Sequence, residues 1–584
     1  MGLKYQGWSM YHVGWNKQEI KIEPTGYAMF GYGMWTHRAT TKRTALYARS
    51  FSIQDASGQR LLLCCVDLGC ITYAMRQGVV QQLQQQLGTA FQESYFALMA
   101  THTHSAPGGC GFEALYNMPT PGFVPEYLQA IVNSIVESVV QAIASAQDTE
   151  IRMTSTAFLP ETPVAWNRSL QAYNRNTDVE QKTEQQTHLA IQREMQLLGF
   201  YRQGKLQSFI SFFGVHATCL GNTLNAHDGD NKGYAAAFAE QQLLQLTQSD
   251  DAIAIFAQAT AGDVSPHFHG KNQLKIRQKI KGEQEYLYAQ KNGQYQAEQA
   301  LQALNIENTQ LIEGSIDAIL MYSDLANVEI SPEFAFGQLR QKTSQPCHGV
   351  PFFAGTPVDG LGAPKAIIHI MHLASKALRI KRLKNTTSAE YNKYKALYAS
   401  QGVKNIVIEA GDHRLLGKSL DVVPSIFDPV IAEMNRQYKA GAIKESLLVP
   451  QVIPLQIIKI GRLSLICCAG EITTVAGARL VQTVKQQLST SVDQVWLASY
   501  CNDYMGYITT YEEYQQQAYE GGHTLYGQWT HAAFQTVYQQ LAQQFNIPQE
   551  QRHYDAVTRP KDVIKAELDL RTNRGNSKTA VTQN

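Results

Sequence analysis

The chain reads as an α/β protein: one large body of mixed β-sheets flanked by helices. Three observations carry this reading. Short apolar runs of strand length recur, rich in β-branched and aromatic residues: "LLLCCVDLG" (61–69), "SYFALMATH" (94–102), "QSFISFFGVH" (207–216), "AIAIFAQA" (252–259), "LSLICCAGE" (463–471) and "VWLASY" (495–500). Helical patterns lie between several of them. Residues 126–147 place Leu128, Ile131, Ile135, Val139 and Ala142 on one stripe, and 74–87 and 472–489 repeat the pattern. The composition, 44% hydrophobic and 17% charged, is that of a globular protein. Strands alternating with helices give an α/β body.

The 584 residues would by length suggest several domains, but an α/β body of this kind absorbs most of them. A formal net charge of +1 offers no global basic field, which argues against nucleic acid as a partner. The first twenty residues show neither an apolar core of signal-peptide length nor a small-residue cleavage site. No uncharged apolar run reaches 18 residues, and the nearest, 61–75, contains Asp67. The nine cysteines form no CxxC pair and sit mostly in apolar runs, which suits buried free thiols in a reducing compartment. A soluble, cytoplasmic protein is therefore expected.

Two segments differ from this pattern. Residues 271–325 are polar, Gln-rich and expected to be helical. Residues 376–394, "KALRIKRLKNTTSAEYNKY", are dense in Lys and Arg. They read either as a solvated surface helix or as a basic face for peripheral membrane contact. The polar C-terminal tail is expected to be loose.

Polar residues stand just beyond the apolar runs: His102 and His104, His216, Ser265, Glu471 and Tyr507. Ligands of open α/β sheets bind outside the carboxyl ends of strands, so these corners would form one site if they converge. Histidines two apart share a face on a strand, although a bare HxH is more often not a metal site. A carboxylate directly after "LICCAG" is costly to bury unless it is paired or metal-bound, which makes Glu471 more telling than His216. In "TAGDVSPHFHG" (260–270), Asp263 and Ser265 offer a carboxylate and a hydroxyl. The segment reads equally as an Asp-Ser turn and lacks the GxSxG elbow.

"THTHSAPGG" (101–109), "GVHAT" (214–218), "DNKGYA" (230–235), "AGDVSP" (261–266), "GEITTVAGARL" (470–480) and "GYITTYEEYQQQAYEGGHTLYG" (506–527) resemble, in order and spacing, the signature segments of the neutral ceramidases. The opening "GYGMWTHRATTKRTALYARSF" (31–51) and "WNRSLQAY" (166–173) are also similar to that family. The likeness spans about residues 12–530. It implies a zinc-dependent amidohydrolase domain over 1–530, with 531–584 as a short C-terminal extension. It also implies one zinc ion per chain, held by His102, His216, Glu471 and Tyr507. Ser265 matches the family's catalytic serine, with Asp263 in its segment. His104, Arg168 and Tyr519 match residues that act on the scissile amide or its oxyanion.

The resemblance has gaps. Gln258, Thr260 and His267 stand where the family usually has other residues, so the pocket around Ser265 is expected to differ. About 57 residues follow Gly527, fewer than the ~100 of an immunoglobulin-like sandwich, the family's usual C-terminal domain. Three readings follow: an amidase acting on ceramide or a ceramide-like lipid, the same site acting on another N-acyl amine, lipopeptide, acylated metabolite, ester or lactone, or a non-catalytic binding relative.

Overall fold

The computed structural model describes residues 10–573 apart from 357, 423–427 and 489–491. The start of the N-terminal segment (1–9) and the end of the polar tail (574–584) lie outside the described residues.

The first sheet is built from β1 (Tyr11–Glu19), β2 (Tyr47–Gln54), β3 (Arg60–Val66), β4 (Phe96–Ala100), β5 (Gln147–Ala157), β6 (Glu194–Arg202), β7 (Lys205–Phe212) and β8 (Ala254–Ala257). Its order is β8-β7-β6-β5-β1-β2-β3-β4, with the short strand Gln310–Leu311 beside β5. The second sheet runs β9 (Ile316–Asp324), β10 (Val452–Ile460), β11 (Leu463–Cys467) and β12 (Gln494–Ala498) in that order. Most neighbours are antiparallel. The parallel pairs along these two paths are β3 with β4, β7 with β8, and β11 with β12.

The two sheets pack face to face. Trp15, Phe51 and Phe200 of the first meet Ile458, Leu465 and Trp496 of the second in one buried core, where the Phe51 and Phe200 rings stack at 4.4 Å. Burying each such side chain contributes about 1.5–3 kcal/mol. Helices cover the outer faces. α1 (Tyr73–Leu87) and α2 (Pro125–Ala144) lie on one side, with Val79, Leu83, Ile131, Ile135 and Val139 packed on Leu62, Cys64 and Leu98. α3 (Asp230–Thr247) and α4 (Glu283–Ala303) flank β7 and β8. α5 (Lys365–Lys384) covers a further edge, and α6 (Thr474–Gln487) and α7 (Thr530–Phe545) back the second sheet. α2 is also the one described helix long and apolar enough to cross a membrane, and its apolar stripe is spent on this core. The predicted α/β class, with mixed sheets between helices, is the architecture observed.

A buried ionic cluster ties the first sheet to α3. Arg49 reaches Asp67 and Glu240 at 2.8 Å each, and Lys17 reaches Glu240 at 2.7 Å. Asp67, the charge inside the apolar run 61–75, thus folds inward with a partner. All nine cysteines are buried and unpaired, as expected.

Two expectations are corrected, and the C-terminal extension is placed. Only part of 271–325 is helical. Residues Ile316–Asp324 form β9, because Ile316, Ala318 and Tyr322 alternate onto the core at the strand period of two. The basic run 376–394 is not one free helix. α5 ends at Lys384 and a second helix begins at Tyr391, while Arg379 and Arg382 turn inward onto Gly402 O and Glu409 (2.6 and 2.8 Å). The described part of the expected extension 531–584 packs on the main body. α7 begins at Thr530 and buries Phe534, Tyr538 and Leu541, and Arg571 bonds Phe112 and Ala442 carbonyls.

Candidate metal and catalytic centre

The corners beyond β4, β7 and β11 converge. His102, His216 and Glu471 are buried, and one donor atom from each lies within 4.8 Å of the others. His102 follows β4 at a φ of 66°, a region a side chain seldom enters, and its N–H is held by Leu68 O at 2.9 Å. Its Nδ1 donates to Gly69 O at 2.5 Å and its ring stacks on Tyr500. His216 Nδ1 donates to Ala261 O at 2.6 Å. With both Nδ1 atoms on backbone carbonyls, both Nε2 atoms face Glu471 Oε2, at 3.4 and 3.0 Å. The group can hold a metal ion.

Its support explains two sequence features. Asn231 Nδ2 donates to His216 O and Lys232 Nζ to Phe213 O, while Asp230 accepts from the N–H groups of Cys219 and Leu220, so "DNK" braces the His216 loop from behind. Gly31, at φ 113°, lies so close to His104 that a Cβ would come within 2.3 Å of the ring. Only glycine fits there.

Tyr507 OH lies 3.3 Å from His216 Nε2 and accepts from Arg168 Nη2 at 2.9 Å. Burial raises its phenol well above the usual value, and the Glu471 charge adds to this, against the pull of Arg168. Burial also opposes ionisation of Glu471, but His102 and His216 outweigh it and hold the carboxyl well below the usual range. His104 Nε2 is 3.1 Å from His102 Nε2, and burial, then His102, lowers its pKa well below the ordinary value.

Ser265, on the short strand Val264–Ser265, donates from Oγ to Asp359 Oδ1 at 3.0 Å. Asp359 Oδ2 accepts from Arg168 Nη1 at 2.8 Å, and Arg168 Nε donates to Glu520 at 2.8 Å. Arg168 therefore links Tyr507, Asp359 and Glu520 in one buried fork. Tyr519 stands beside it, its ring 5.5 Å from that of Tyr507. Trp166, Arg168, Thr356 and Tyr519 line a cavity of ≈ 1010 Å³ above this layer.

Asp263 is placed apart. Its Oδ1 accepts from Thr474 N and Oγ1 (2.8 Å each) and its Oδ2 from Asn167 (2.7 Å), so it anchors α6 and the short strand Trp166–Asn167 just before Arg168. The three departures from the family pattern also face away from the cavity. Gln258 bonds Thr101 O and Val215 O, Thr260 bonds Gln192, and His267 bonds Thr218 O. Gln258 and His267 tie backbone carbonyls and Thr260 ties a side chain, so the change expected around Ser265 falls in the frame of the pocket. Sequence reasoning missed Asp359, Glu520, Tyr500 and Tyr504, the last two donating to Glu471. Asp359 sits in "GTPVDGLG", where an acid reads as an ordinary turn residue.

A sequence model described as "Neutral/alkaline non-lysosomal ceramidase, N-terminal" matches residues 11–536. The chain belongs to this family. It is 30% identical over 543 residues to the neutral ceramidase of Mycobacterium tuberculosis (91% of this chain, 77% of the relative). It is 29% identical over 552 residues to that of Pseudomonas aeruginosa (91% and 72%). A solved structure titled "Ceramidase complexed with C2" matches at a TM-score of 0.77 and 27% identity, covering 95% of this chain and 78% of its own. The corners where the ceramidase signature segments lie are those that build the His-His-Glu group and its surround.

Proposed function

We propose that this chain hydrolyses the N-acyl amide bond of ceramide or a ceramide-like lipid, with one zinc ion held by His102, His216, Glu471 and Tyr507. The observation that carries the reading is the buried group whose two Nδ1 protons are fixed on carbonyls while both Nε2 atoms face one carboxylate. Two imidazoles, a carboxylate and a phenol suit zinc. Bound there, the ion would supply Lewis acidity toward a carbonyl oxygen and acidify a water or hydroxyl.

The chain's own residues supply the rest. Ser265 offers a hydroxyl whose proton already points to the Asp359 carboxylate, so it is set to attack the carbonyl or to orient the water that does. His104, kept neutral by burial, can take up a proton and return it to the departing amine. Arg168 and Tyr519, on the cavity wall, face developing negative charge on the substrate oxygen. With Gln258, Thr260 and His267 turned away from the cavity, they give no reason to prefer a substrate outside the ceramide class.

The test is metal analysis of purified protein beside a substrate panel. About one zinc per chain is expected, and Ser265→Ala should keep the metal and lose turnover. A folded, metal-free, active protein would remove the metal from the reading. Cleavage of water-soluble N-acyl amines with none of ceramide would remove the substrate.

A further inference from the structure

α5 carries apolar residues on both sides. Its inner side packs Ile368 and Met371 against the core and buries Ser375. Its outer side repeats the spacing: Ile370, Leu373 and Ile380 are 64%, 55% and 55% exposed, with Ala377 between them on the same stripe. Steps of three, four and three residues place all four on one face. Exposed Lys365, Lys376, Lys381 and Lys384 accompany the stripe, and none of the helix's 20 residues is acidic. Among the described residues, an exposed apolar stripe on so cationic a helix occurs only here.

We propose that this outer face of α5 docks the protein on an anionic phospholipid surface. An interfacial helix needs aliphatic side chains to enter the headgroup boundary and lysines to meet its charge, and α5 offers both on one exposed side. A second copy is the poorer occupant, because face-to-face α5 helices would set lysines against lysines. The position adds to the argument. α5 follows, after a few residues, the hairpin Gly355–Thr356/Gly360–Leu361, whose Thr356 lines the cavity and whose turn holds Asp359. The preceding segment Val350–Ala354 packs on α5, with Phe353 O accepting from Ala363 N at 2.7 Å, and its Phe352 ring lies 6.1 Å from Tyr519. Docking would therefore hold the wall of the cavity beside the lipid. The proposal goes beyond the amidase reading, and lipid binding can be measured without turnover.

The experiment is co-sedimentation of the full chain with phosphatidylcholine vesicles made with and without phosphatidylglycerol. Binding is expected only with phosphatidylglycerol, and it should weaken as salt is added. Ile370→Ser/Leu373→Ser/Ile380→Ser should lower partitioning at least tenfold, and so should Lys376→Glu/Lys381→Glu/Lys384→Glu. Both variants should retain wild-type melting temperature and wild-type hydrolysis of a water-soluble amide. Three outcomes would overturn the proposal: no binding by wild type, undiminished binding by the variants, or a wild-type dimer that the serine variant dissociates.

Discussion

Two of the buried charge clusters among the described residues are built to opposite rules. In the Arg49 cluster, two cations (Arg49 and Lys17) face two carboxylates (Asp67 and Glu240), and each charge has its opposite within 2.8 Å. At the candidate centre, two carboxylates (Asp359 and Glu520) share one guanidinium, Arg168, while a third, Glu471, meets imidazoles and tyrosine hydroxyls and no Lys or Arg. The first cluster is neutral and closed. The second has more carboxylates than Lys or Arg side chains, an imbalance that fits the metal ion its His-His-Glu group could hold. A balanced cluster marks a structural tie; an unbalanced one, with its imidazole tautomers fixed, marks a site that awaits a ligand.

The sharpest way to break that comparison is Glu471→Gln. It removes the anionic donor, and losing several kcal/mol of charge stabilisation should cost more than ~10³-fold in kcat/KM. Metal content should fall with it while the fold survives. Retained metal and activity would end the distinction. Arg49→Met should behave in the opposite way. It strands Asp67, leaves Glu240 with Lys17 alone, and should cost about 3–5 kcal/mol in denaturant unfolding, with metal per folded chain unchanged. Arg168→Lys tests whether the second cluster works through geometry as well as charge. A lysine keeps the charge but cannot fork to Glu520, Asp359 and Tyr507 at once, so kcat should drop ~10²–10³-fold with smaller change in metal content.

The two clusters were not equally legible in the sequence. Asp67 was visible as a charge in an apolar run, but its partner Arg49 lies 18 positions away on β2, and the cluster's other acid, Glu240, lies far off in sequence on α3. At the site, strand ends were legible because each apolar run stops at a polar corner. His102, His216 and Glu471 meet because the parallel pairs β3/β4 and β11/β12, with β7, send those ends to one place. Asp359 was not legible. It arrives on a two-residue hairpin, and only tertiary packing tells it from any other turn acid. α5 was half legible. Its charges were counted, but which side faced inward depended on Arg379 and Arg382 finding partners in the body.

The smallest effect expected concerns an acid on which burial outweighs the pull of Arg43. Asp228 lies beyond His227, accepting from Asp230 N at 2.7 Å and Tyr234 OH at 2.9 Å. Burial, then the neighbouring Asp230, raises its carboxyl from 3.8 to about 7. The folded chain thus binds a proton more tightly than the unfolded chain between these values. Its contribution is fully present below the unfolded value and is lost as pH rises toward about 7, the reverse of a salt-bridged acid. At about 1.4 kcal/mol per pKa unit, the loss is on the order of a few kcal/mol. Asp228→Asn does not ionise; its amide oxygen can accept from Asp230 N while its NH2 donates to the Tyr234 hydroxyl oxygen. Thermal melts between pH 4 and 7 should then decline less with rising pH in the variant than in wild type. Parallel declines would mean that Asp228 is already ionised in the folded protein. In that case an uncompensated carboxylate is tolerated outside the centre, and charge imbalance alone would no longer single out the Glu471 cluster.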